Sequence, residues 1–110
     1  MESNYTLVPD ISTLEIPADA ILSRTLYNDD TIKVVLFGFA VGQELSEHTA
    51  STAAIIQILK GEADLRLGND AIDARAGTWV HMPPQLPHSL RARTPMIMLL
   101  ILLKGTGQKK

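Results

Sequence analysis

The sequence has no cysteine. Disulfides, thiolate metal sites and a cysteine nucleophile are all excluded by that one absence. Neither sign of charge is in marked excess: ten basic residues stand against twelve acidic ones, for a formal net charge of −2. No basic stripe is present to contact phosphates, so no nucleic-acid partner is expected. The chain's lysine pair, Lys109-Lys110, falls in the C-terminal tail. Long apolar runs are missing too. The longest, Met96 to Leu103, is far short of the roughly 20 residues a membrane-spanning helix needs. The opening MESNYTLVPD has no basic stretch leading into an apolar one, so no signal peptide is read there. A cytoplasmic protein without a membrane partner is the expectation. A Gly-x-Ser-x-Gly elbow and a glycine-rich phosphate loop are absent as well, which removes support for serine-hydrolase and nucleotide chemistry.

What is present is a chain of 110 residues with 45% hydrophobic side chains, which suits one domain with a real core. That domain is expected to span 1–110, with its core at about 20–104, an N-terminal segment at 1–19 and a flexible tail at 105–110. Turn residues recur: Asn28-Asp29-Asp30, Gly42, Gly61, Gly68-Asn69-Asp70, Gly77, Pro83-Pro84, Pro87, Pro95, Gly105. Between them lie short runs rich in Val, Ile, Leu and Thr, the pattern of an all-β sandwich or barrel. Residues 13–22 come nearest to a helical period, but Pro17 interrupts it. In EADLRLGNDAIDARAG, apolar residues alternate with charged ones around Gly68-Asn69-Asp70, which predicts a hairpin with one wet face. The runs Ile32–Val41 and Met96–Leu103 do not alternate, so both of their faces should be covered. One cover is the barrel interior. The other is a partner subunit in a homodimer, or the chain's own N-terminal segment.

The three histidines are His48, His81 and His88. His48 lies six residues after Gly42, and His88 lies eleven after Gly77 and five after Pro83. In this spacing the chain resembles the cupins, small β-barrel domains with two histidine-bearing motifs. Gly42, His48 and Gly61 match the first motif, and Gly77, Pro83 and His88 match the second. The resemblance covers roughly residues 30–104 and implies a cupin-type double-stranded β-helix, a jelly-roll barrel. The departures are specific. Ala50 stands where the first motif has its second histidine, and Ala54 where it has its glutamate. Gln85 and Ala92 replace the glycine and the final asparagine of the second motif.

Metal-binding cupins hold their ion with the histidines and glutamate of the first motif and the histidine of the second. Residue by residue, only His48 and His88 carry over. His81 is a third candidate ligand if its strand faces inward; facing outward, it is a surface or interface residue. A set of three histidines would suit zinc, iron, manganese, nickel or copper. The pocket is expected to be lined by Ser46, Ala50, Ala54, Ile56, Trp79 and Gln85, Ser46 sharing the face of His48 by strand alternation. The two alanines would make it wider and less polar, suited to a small organic ligand. Three uses of the histidines stay open: a metal site, a metal-free pocket whose histidines hydrogen-bond or do acid–base work on a ligand, and a purely structural role; the alternative function is a metal-free small-molecule binding or sensor cupin without catalysis. Whether the chain is an enzyme is equally open.

Overall fold

Nine strands and no helix form among residues 4–105, which are the residues described by the computed structural model. The strands are β1 (Ile21–Asn28), β2 (Ile32–Phe39), β3 (Glu44–His48), β4 (Ala53–Lys60), β5 (Glu62–Leu67), β6 (Asp70–Arg75), β7 (Trp79–Met82), β8 (His88–Ala92) and β9 (Met96–Leu103). They build a five-stranded sheet in the order β1-β2-β9-β4-β7 and a four-stranded sheet in the order β3-β8-β5-β6, with every pair antiparallel. Of the tail expected to be flexible, only Gly105 lies within the described residues.

Local chemistry sets the connections. The β5–β6 hairpin closes through Gly68-Asn69, with Leu67 opposite Asp70 and Gly68 at φ 60°. Asp29 ties the β1–β2 turn: its carboxylate accepts from the Tyr27 hydroxyl at 2.6 Å, and from the backbone N–H groups of Thr31 and Ile32 at 2.8 and 2.9 Å. The Tyr27 bond is the main reason that its carboxyl sits far below the ordinary range. Gly61 follows a bulge at the end of β4, at φ 88°. A Cβ there would lie 2.3 Å from the Pro95 carbonyl oxygen, so no other residue fits.

The sheets pack face to face around one apolar core that includes Phe39, Ile56, Ile58, Leu65, Met82, Met96 and Met98. Along β4, Ala54, Ile56 and Ile58 point inward and Ile55, Gln57 and Leu59 outward, as a period of two requires. A second cluster lies on the outside of the five-stranded sheet. There Leu36, Ile97 and Leu99 are buried under Ile11, Leu14 and Ile16 of the N-terminal segment. Leu14 seats over Gly38, where a Cβ would come within 3.1 Å of its Cδ2 atom. The segment thus covers the middle of the outer face of β2 and β9, the second of the two covers that the apolar runs allow. The part toward β7 stays open.

Candidate functional site

β3 and β8 are neighbours, and their register sets His48 directly opposite His88. The ring centres are 4.2 Å apart and the planes are tilted by 59°. Each ring is also anchored. His48 Nδ1 lies 2.8 Å from the Ser46 carbonyl oxygen, and His88 Nδ1 lies 2.8 Å from that of Leu86. A carbonyl only accepts, so Nδ1 is the donor, and in the neutral ring Nε2 keeps its lone pair. Two locked rings with free Nε2 atoms are a donor pair suited to a transition metal or to a ligand hydroxyl. Two imidazoles on one ion, bound at roughly 2 Å and at right angles, would hold their centres about 4.5 Å apart. The observed spacing fits that arrangement.

The turns behind the histidines hold them in place. Pro83-Pro84 ends β7, and Gln85 then takes φ 68°, the sole positive φ outside glycine among the described residues. Its N–H donates to the Ala50 carbonyl at 2.8 Å, which ties the loop before His88 to the loop after His48. The Pro87 carbonyl accepts from Gly68 N–H at 2.8 Å. Gln85 stands where the motif has glycine, and it keeps the glycine conformation at a cost of about 1–3 kcal/mol.

The sequence-based site needs three corrections. First, His81 does not join the pair. It lies opposite Ile55 and, with Trp79, faces outward, while Val80 and Met82 face the core. Among the described residues, no group of three or more His, Asp or Glu side chains is placed to hold one metal ion. Second, Ser46 is not beside His48. Between Leu45↔Leu90 and His48↔His88, β3 advances three residues and β8 two. This bulge flips the alternation, so Leu45 and His48 both face inward and Ser46 lines a groove on the outer side. Third, Trp79 and Gln85 are exposed and do not line the interior. Ala50 is half-buried in its loop, and Ala54 is buried opposite Met82. Of the expected lining residues only Ile56 borders the space beneath the histidines. Leu45, Leu65, Ser89, Leu90, Met98 and Leu100 complete it, and its volume is about 30 Å³. That is room for about one water. Met98 and Leu100 carry no mark in the sequence, because β9 is apolar on both faces; Leu45 carries none because the bulge hides its side.

A much larger concavity, about 700 Å³, lies on the outer face of the four-stranded sheet among Glu44, Ser46, Asp64, Arg66 and Arg91. The histidines do not line it. It is a shallow, charged surface, and the paired, backbone-anchored histidine rings make the β3–β8 mouth the better candidate site.

The family model for the cupin domain matches residues 35–102. The chain belongs to the cupin family. Among solved structures it is similar to a conserved protein of unknown function from Streptococcus pyogenes, at 29% identity and a TM-score of 0.82, over 97% of this chain and 93% of that one. It is also similar to a cupin superfamily protein from Desulfitobacterium hafniense, at 27% identity and a TM-score of 0.81, with 94% of both chains covered. A variant of salicylate 1,2-dioxygenase from Pseudoaminobacter salicylatoxidans shares the fold at 16% identity and a TM-score of 0.71, over 78% of this chain and 28% of that one. Among curated proteins, none matches. The nine-stranded arrangement is therefore a cupin jelly roll, as the motif spacing implied. No helix among the described residues is long and apolar enough to cross a membrane.

Proposed function

We propose that this cupin binds a divalent transition metal through His48 and His88, together with a small organic ligand at the barrel mouth. The supporting observation is the anchoring of both Nδ1 atoms on backbone carbonyls, which presents two Nε2 lone pairs from rings 4.2 Å apart. Imidazole donors suit zinc, copper, nickel and iron, and manganese if oxygen ligands supply the rest. Two protein donors leave the remaining positions to water or to the ligand. A carboxylate with a neighbouring hydroxyl or keto oxygen would complete the shell from the solvent side. With about 30 Å³ beneath the rings, the ligand belongs above them and not inside the core. When bound, the metal would supply a positive charge that polarises the ligand's oxygen atoms. His88, half-buried and carried on the proline turn, orients the site; His48 is the more exposed partner.

A second reading is a metal-free binding cupin, in which the two Nε2 atoms accept hydrogen bonds from the ligand. The convergence of two histidines and no third protein donor among the described residues favours it. Calorimetric titration with Zn²⁺ and Ni²⁺ separates the two. The metal reading expects one equivalent bound, with affinity falling about tenfold or more in His48→Ala and in His88→Ala and unchanged in His81→Ala. Wild-type protein that binds no better than the double variant His48→Ala/His88→Ala would leave the metal-free reading standing.

A further inference from the structure

We propose that the concavity on the outer face of the four-stranded sheet binds a small amino acid, its carboxylate on Arg66 and Arg91 and its ammonium group on Glu44 and Glu47. The site is separate from the histidine pair, yet one bulge serves both. Where β3 advances three residues against two of β8, His48 turns inward and Ser46 outward. The concavity measures about 700 Å³, within the range of small-molecule sites, and Glu44, Ser46, Glu47, Arg66, Ser89 and Arg91 border it.

The pattern of ion pairs marks the site. Register sets Glu44 opposite Arg91, Arg91 opposite Asp64, and Ser89 opposite Arg66. An arginine flanked by two carboxylates is placed to pair with one of them. Arg91 does not. Among the described residues, the ion pairs belong to Arg75 and Arg93, and none to Arg66 or Arg91. The cause lies two positions further along β8. Arg93 stands 3.4 Å from Asp64 and 3.7 Å from Glu62, and it is bonded to Asp73. Arg75 bonds Asp73 as well, at 2.9 Å. The outward carboxylates of β5 and β6 are thus engaged, and two guanidinium groups are left over beside the Ser46 and Ser89 side chains.

Charge and reach select the occupant. Arg66 and Arg91 are diagonal neighbours across β5 and β8, with Cβ atoms about 7 Å apart. Guanidinium groups at that spacing repel each other, and both can bond to one carboxylate. Glu44 and Glu47 stand on the β3 side of the same hollow. They oppose a bare anion, and a doubly charged phosphate more than a carboxylate. A molecule that satisfies both sides carries an ammonium group toward β3. Neighbouring strands lie about 5 Å apart. The two ends are therefore separated by roughly one strand spacing or a little more, which an ω-amino acid spans and an α-amino acid does not.

The test is titration of the isotope-labelled full chain with 5-aminopentanoate, pentanoate and pentylamine at low salt, followed by backbone amide shifts. The expected result is saturable shifts around Ser46, Arg66 and Ser89, with a dissociation constant of about 1 mM or below. Pentanoate and pentylamine should each bind about tenfold more weakly, because each lacks one set of charge-assisted hydrogen bonds. Arg66→Gln and Arg91→Gln should each weaken 5-aminopentanoate about tenfold. Glu44→Gln should weaken it too, while strengthening pentanoate. These side chains are exposed, so the variants fold. His48→Ala/His88→Ala should bind as wild type does, which separates this site from the barrel mouth. Shifts that do not saturate by about 10 mM would overturn the proposal. So would pentanoate binding as tightly as 5-aminopentanoate, unchanged affinity in both arginine variants, or loss of binding in the double histidine variant.

Discussion

The two sheets share one core, yet their outer faces solve opposite problems. On the four-stranded sheet the outward positions Glu44, Arg91, Asp64 and Asp73 line up strand by strand as partners. This face is wet, charged and crossed by Arg93. On the five-stranded sheet the outward positions of β2 and β9 are apolar, and Leu36, Ile97 and Leu99 are buried beneath the N-terminal segment. For folding, the first face requires only solubility. The second is a core in miniature, and it has to be covered. The difference teaches that outward-facing in this barrel does not mean surface, and that the N-terminal segment is part of the folded structure.

The largest expected effect follows from that contrast. Leu36 is fully buried although it points away from the barrel interior. Leu36→Ala should cost about 2–5 kcal/mol, the loss typical of a core leucine. Arg66→Ala, outward on the other sheet, should stay within about 0.5 kcal/mol. Urea unfolding at fixed protein concentration measures both. Near-equal, small losses would mean that the segment does not seal the face, and the comparison would break.

A smaller effect sharpens the same point at the seat of Leu14. Gly38→Val adds atoms where even a Cβ would approach Leu14 Cδ2 at 3.1 Å. The substitution should destabilise by about 1–3 kcal/mol. Leu14→Ala should then cost less in the Gly38→Val background than in wild type, because the valine has already unseated it. The coupling in the double-mutant cycle is expected at about 0.5 kcal/mol or more. Strict additivity would place Leu14 away from Gly38 in solution.

Much of this molecule was legible in its sequence. The hairpin from Glu62 to Arg75, the strand runs and the glycine–histidine spacing pointed to the jelly roll, because those signals are local and have a period of two. The pairing of His48 with His88 was legible through the motifs. The orientation of Ser46 was not. A bulge adds one residue to one strand, and between Leu45 and His48 no glycine or proline marks it. The face of His81 was undetermined for a different reason. Alternation groups Trp79 with His81, but which side of β7 meets the core depends on its pairing with β4, far off in sequence. The cover over Leu36 and Leu99 was ambiguous because Ile11, Leu14 and Ile16 have no strand or helix period to announce their packing.

The smallest effect tests whether the wet face is held by charge. Asp64 and Asp73 are register partners on β5 and β6, a repulsive pair if left alone. Arg93 bridges them, with Nε 3.4 Å from Asp64 and Nη2 bonded to Asp73. Arg75 adds a bond to Asp73 at 2.9 Å. The Arg75 hydrogen bond, helped by the charge of Arg93, holds the Asp73 carboxyl below its ordinary range. A carboxyl depressed in the folded state stabilises fully above its unfolded value of about 3.9. That contribution is lost as pH falls through the lower, folded value. These groups are exposed and screened, so the effect is modest. Asp73→Asn should therefore melt slightly below wild type at neutral pH, and the gap should close as pH falls below the ordinary aspartate range and shrink in high salt. The gap for Leu36→Ala rests on apolar packing and should not depend on pH in this way. If the Asp73→Asn gap survived acid and salt unchanged, packing would hold both faces, and the contrast between them would be one of composition alone.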